Sequence, residues 1–148
     1  MNSLSDCIFC RIVNKQEPAH IVYEDGNTVA FLDHLPLNEW HILVVPKEHI
    51  KDFVDADMKV WLDVMKTAKR ITDALHAKRE FAANIVTSKW KKAWQEVWHL
   101  HVHIIPRTRT DMDPRKDIDQ VAKFSLANIA THLRAILVKL PDNQVAQQ

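Results

Sequence analysis

The chain has 148 residues and an apolar share of 47%, enough to bury one core, and a single domain over residues 1–148 is expected. Twenty basic residues against nineteen acidic leave a net charge of +1, which gives no electrostatic case for nucleic-acid binding. No apolar run reaches membrane-spanning length, and Met1 to Asp6 lack a basic region followed by an apolar one, so a soluble cytoplasmic protein is expected.

The pattern begins with Asp6 to Asn14, a short helix or turn presenting Ile8, Phe9 and Ile12 on one apolar side. His20–Glu24 and Thr28–Asp33 alternate as strands do, and Asp25-Gly26-Asn27 between them signals a hairpin. Leu35 to Trp40 interrupts the pattern before a buried strand over His41–Pro46. A long helix follows, with Asp55 as its expected N-cap and Met58, Trp61, Leu62, Met65, Ala68, Thr72 and Leu75 as its buried face. Phe81–Thr87 and Val97–Ile105 return to strand. Asp113-Pro114 opens a last helix over about 114–140, carrying Ile118, Val121, Ala122, Ile129, Leu133, Ile136, Leu137 and Leu140. The tail from 142 to 148 is expected to fray. Five strands joined mostly without crossover helices predict an α+β fold: a five-stranded antiparallel sheet, two main helices and a short N-terminal helix.

The densest chemistry lies in His99-Leu100-His101-Val102-His103-Ile104. Strand geometry sends the three imidazoles to one face and the aliphatic residues to the other. Three clustered rings cannot all be protonated without repulsion, so some stay neutral near pH 7. A neutral imidazole can attack phosphorus while its neighbours stabilise phosphoryl oxygens. Three histidines can equally hold a catalytic metal. Spacing alone leaves both open. Cys7 and Cys10 stand too close together to staple a secreted fold and point to metal or redox use.

Cys7-x-x-Cys10, then Ala30-Phe31-Leu32-Asp33, then His41-Ile42-Leu43-Val44-Val45-Pro46-Lys47-Glu48-His49, then Gln95 and the histidine run ending Ile105-Pro106-Arg107, resemble the histidine-triad (HIT) family over about residues 7–107. The resemblance implies a homodimeric, purine nucleotide-binding hydrolase acting at the α-phosphorus of phosphoramidates or dinucleoside polyphosphates through a nucleotidyl-histidine intermediate. It implies His101 as the nucleophile, His41 and His103 near the reacting phosphoryl group, and Gln95 and Ser88 on the phosphate side. Asp33 falls where the family binds ribose, and Phe9 and Ile12 where it forms a slot for the base. In the bacterial Cys-x-x-Cys branch that the chain resembles, Cys7, Cys10, His49 and His99 would hold a structural zinc. His103, where a nucleotidyltransferase branch resembles a pattern with glutamine, favours the hydrolase side. Glu96 stands where some members use a hydroxyl residue, and is expected to be a solvated surface carboxylate.

Three positions depart from the family pattern. Trp40, Trp90 and Trp94 stand where glycine is usual, in a chain with one glycine against the roughly ten that average usage predicts. A UGA codon used for glycine but translated as tryptophan would produce all three. Trp61 lies on a helix face and reads as genuine, while Trp98 fits either origin. Taken as tryptophan, the loop 88–95 should be remodelled, with indole bulk in the substrate volume and Lys89, Lys91 and Lys92 drawing in polyphosphate. A catalytically weak nucleotide-binding or interaction protein is then the alternative to an enzyme.

Overall fold

The computed structural model describes residues 4–107 and 125–145. Helix α1 (Ile8–Val13) precedes strands β1 (Ile21–Glu24), β2 (Thr28–Leu32) and β3 (Ile42–Pro46). Helix α2 (Met58–Lys78) leads to β4 (Ala82–Val86), and β5 (Val102–Arg107) is followed by α3 (Leu126–Leu137). The strands form one sheet in the order β1-β2-β3-β5-β4, antiparallel at every pairing, as the α+β reading expects. At the β1–β2 turn, Asp25 Oδ1 accepts from the N–H groups of Asn27 at 2.8 Å and Thr28 at 2.7 Å. Gly26 takes no positive φ, so the aspartate side chain shapes this turn.

Each face of the sheet is covered. On one, Val22, Ala30, Ile42, Val44, Val102 and Ile104 pack against α2 and α3. On the other, Val29, Phe31, Leu43 and Val45 meet Cys7, Phe9, Cys10 and Ile12 from α1 and its cap. This second, smaller core borders the histidines, because His103 pairs with Leu43 across β3 and β5.

Several boundaries differ from the sequence expectation. Asp57, not Asp55, caps α2: its carboxylate accepts from Val60 N–H at 2.8 Å, while Asp55 belongs to a turn closed by Asp52. The buried face of α2 is Val64, Thr67, Ala68, Ile71 and Leu75; Met58 and Leu62, placed inside by periodicity, are 68% and 57% exposed. Regular pairing of β5 starts only at Val102, so His99 and His101 lie on the approach to the strand. Both are buried. Ile8 is exposed on the outer side of α1.

Ser125 caps α3, and the expected residues 114–124 of that helix, including Ile118, Val121 and Ala122, lie outside the described residues. The segment after α3 does not fray at once. Gln144 N–H donates to the Glu24 carbonyl at 2.7 Å, and Asn143 Oδ1 accepts from Glu24 N–H at 3.3 Å. Arg134 Nε donates to the Ile21 carbonyl at 2.8 Å. The outer edge of β1 is thereby occupied, whereas β4 lies at the other edge with Ile85 and Val86 exposed.

Candidate functional site

β2, β3 and β5 bring Asp33, His41, His101 and His103 together at the border of the α1-side core. The ring centroids of His101 and His103 lie 5.0 Å apart, and those of His41 and His103 5.2 Å. Phe9 meets the His101 ring edge-on at 5.2 Å. Burial lowers the pKa of His41 to about 4. Burial first, then the adjacent His101 and His41, lowers that of His103 to about 3. Burial also pulls His101 below the usual histidine value. All three rings are therefore neutral near pH 7.

The hydrogen-bond pattern assigns the tautomers. His101 Nδ1 lies 2.7 Å from the His99 carbonyl, which can only accept, so Nδ1 carries the proton and Nε2 keeps a free lone pair. Leu37 N–H donates to His41 Nδ1 at 2.9 Å. The His41 proton is then on Nε2, where it faces His103 Nδ1 at 2.9 Å and Asp33 Oδ2 at 3.5 Å. His103 in turn carries its proton on Nε2. One ring thus presents a nucleophilic nitrogen and the next an N–H donor. Asp33, His41 and His103 are close enough to suggest an ion site. A neutral His41 has its one lone pair engaged by Leu37, however, so it offers none toward the other two.

Thr87 Oγ1 donates to the His101 carbonyl at 2.9 Å, fixing the backbone of that residue from the end of β4. The sequence carries no signal for this contact. Gln95 is 2% exposed. Both of its amide hydrogens are engaged, by the carbonyls of Lys51 at 2.7 Å and Val97 at 3.2 Å, and its Oε1 accepts from Trp90 N–H at 2.8 Å. These bonds tie Gln95 to the loop 88–95 and to the backbone at Lys51 and Val97. Ser88 is half-buried in the same loop, beside Thr87. Phe9 and Ile12 are buried in the α1-side core, with the Phe9 ring against His101. Glu96 is exposed, as expected.

The loop also differs from the remodelled form expected of it. Trp94 points into solvent, and Trp40 is buried on the helix side against Phe81, so neither fills the space beside the histidines. Lys89 is held by the buried carboxylate of Asp52 at 3.2 Å, an acid that sequence reasoning passed over; Lys91 and Lys92 remain exposed.

A second cluster lies against the first. The ligand atoms of Cys7, Cys10, His49 and His99 all lie within 4.8 Å of one another. His99 Nδ1 is 3.5 Å from both Cys7 Sγ and Cys10 Sγ, and His49 Nδ1 is 3.1 Å from Cys10 Sγ. Tetrahedral zinc, with bonds of about 2.3 Å to sulfur and about 2.0–2.1 Å to nitrogen, separates unlike ligands by about 3.5 Å. The four residues fit that geometry. His99 Nε2 donates to the Pro46 carbonyl at 2.8 Å, which turns the lone pair of Nδ1 toward the sulfurs. Burial first, then Cys7, pushes the Cys10 thiol up to about 12, so an incoming cation must displace its proton. A cleft lined by Ser5, Cys10, Asn14 and His49 opens beside the cluster and gives it an approach.

Comparison with known proteins agrees with this geometry. The family description "HIT domain" matches residues 14–110. An uncharacterized HIT-like protein of Borreliella burgdorferi is 43% identical over 109 residues, spanning 72% of this chain and 78% of the relative. A crystal structure of a Zn-bound histidine triad family protein from Mycobacterium smegmatis superposes with a TM-score of 0.78 at 30% identity, covering 93% of this chain and 97% of the other. A hypothetical histidine triad nucleotide-binding protein from Sulfolobus tokodaii superposes with a TM-score of 0.69 at 25% identity, covering 95% of this chain and 100% of that one. The chain belongs to the HIT family.

Proposed function

We propose that this protein is a purine nucleotide phosphoramidase or nucleotidyl hydrolase. One observation carries the reading: the His101 ring is held by the His99 carbonyl through Nδ1–H, so its Nε2 is an unprotonated nucleophile beside a second ring that donates. In the first step His101 Nε2 bonds to the α-phosphorus as the P–N or P–O bond breaks, the amine leaving with a proton taken up from solvent or the nucleoside phosphate leaving as its anion. In the second, water attacks the same phosphorus and gives up a proton to solvent, the His–P bond breaks to restore the His101 Nε2 lone pair, and nucleoside monophosphate leaves. The Nε2–H of His103, backed by His41 and Asp33, stabilises charge on the phosphoryl oxygens. The nucleotide-binding description of the Sulfolobus tokodaii protein supports the nucleotide as substrate class.

Zinc held by Cys7, Cys10, His49 and His99 supplies a structural cross-link, since the protein fills all four positions. The Zn-bound Mycobacterium smegmatis neighbour supports that choice of ion. Cysteines used as metal ligands and not joined in a disulfide suit a reducing, cytoplasmic compartment. A homodimer formed through β4 is the assembly proposed.

The test is hydrolysis of adenosine 5′-phosphoramidate by the chain and by His101→Ala, with folding checked by circular dichroism. The expected result is a loss of about a thousandfold or more in the variant. Equal turnover by both proteins would end the proposal. Nucleotide binding by calorimetry with no turnover in either would instead select the weak binding protein.

A further inference from the structure

Two backbone positions in the loop 88–95 have the conformation of a residue without a side chain. Trp90 takes φ 72°, ψ 158°, and Trp94 takes φ 67°, ψ 24°. The first pair of angles lies in a region that is essentially reserved to glycine. The second is left-handed, where a bulky residue is an outlier. Neither can relax alone. The Trp90 carbonyl accepts from the N–H groups of Ala93 at 2.9 Å and Gln95 at 3.2 Å, and the buried Gln95 side chain holds Trp90 N–H. Both side chains are largely in solvent, Trp90 54% exposed and Trp94 84%, although Lys89 Nζ and Lys51 Nζ lie over the Trp90 ring at 4.9 and 5.4 Å.

The rest of the chain sharpens the anomaly. It has five tryptophans and one glycine, and that glycine, Gly26, takes no positive φ. Among the described residues, Lys15 and Asp142 are the other positive-φ positions. Trp40 carries a different mark, a buried indole N–H with no partner. Trp61 and Trp98 show neither: Trp61 packs edge-on against Phe53 at 4.6 Å, and Trp98 lies under Lys51 Nζ at 5.2 Å.

We propose that residues 90 and 94, and with them residue 40, are glycine in the protein its native host makes, because the host reads UGA codons in this gene as glycine. UGA differs by one base from the tryptophan codon UGG and by one from the glycine codon GGA. A single decoding rule therefore accounts for all three positions and raises the glycine count from one to four. Glycine at 90 and 94 matches the backbone already present.

The test reads the gene and the native protein. UGA is expected at codons 40, 90 and 94, with UGG at codon 61. The native peptide covering residues 90–94 is expected to have the mass of two glycines. UGG at codon 90 or 94, or tryptophan in that peptide, overturns the proposal. A second arm needs no native material: the Trp90→Gly/Trp94→Gly variant should melt at a higher temperature than the chain as written. A midpoint at or below that of the parent overturns the assignment. Neither arm depends on turnover, so an inactive protein with glycine at these positions would remove the proposed hydrolysis and leave this inference standing.

Discussion

His99 serves two neighbours through different atoms. Its Nδ1 faces the cysteines, while its carbonyl holds the Nδ1–H of His101, so one residue links the proposed metal ligands to the proposed nucleophile. The identity of these residues was legible in the sequence because three histidines at alternate positions are rare and recognisable. Their tautomers were not, since they depend on where the carbonyl of His99 and the N–H of Leu37 fall in space. Burial of neutral rings gives a pH prediction. His41, at about 4, and His103, at about 3, both lie below the ordinary 6.5. As pH falls below 6.5 the unfolded chain takes up protons that these buried rings refuse, so stability decreases. The loss is on the order of 2 kcal/mol per ring by about pH 5. Urea unfolding should show a lower midpoint at about pH 5 than at about pH 7, with a smaller difference in His103→Gln. Equal midpoints for the chain would show that the rings are not held neutral.

Helix α1 has 6 residues, too few to be stable alone. It stays on the sheet through Phe9 and Ile12 and through the two cysteines at its start. If zinc joins those cysteines to His49 and His99, chelation removes the cross-link. An ion present at a thousandfold over its Kd contributes about 4 kcal/mol. Its removal should lower the melting temperature by roughly 10 °C. An unchanged melting temperature with lost turnover would instead place the ion in the chemistry. Helix α2 shows where periodicity fails. Thr67 does not register as apolar, yet it is buried, and its hydroxyl meets that of Thr28 at 2.7 Å. Met58 and Leu62 do register, yet the sheet lies on the other side of the helix. Thr67→Val should cost about 1 kcal/mol in chemical denaturation, because it removes one of two hydrogen bonds of the buried Thr28 hydroxyl, which keeps Asp25 Oδ1 at 3.1 Å. No measurable cost would mean that the pair contributes nothing.

At the scale of the molecule, the antiparallel sheet was readable because every strand is bounded by turn residues and only one long helix separates neighbours in sequence. The docking of residues 143–144 was not readable. It consists of polar contacts to β1 backbone groups, which leave no hydrophobic pattern. That docking decides which edge is left for the proposed dimer. Ile85→Lys, on the exposed side of β4, should convert a dimer to a monomer in light scattering, with the fold retained. A dimer that survives the added charge would have to use another surface.

The occupied border of β1 carries a consequence for how copies of this chain can add to one another. Strand edges propagate only when both sides of a sheet are open, since each newcomer must offer a fresh rim. Here one rim is already closed by the chain's own tail. Edge-to-edge growth therefore ends after a single addition, and a filament built through this sheet has nowhere to continue.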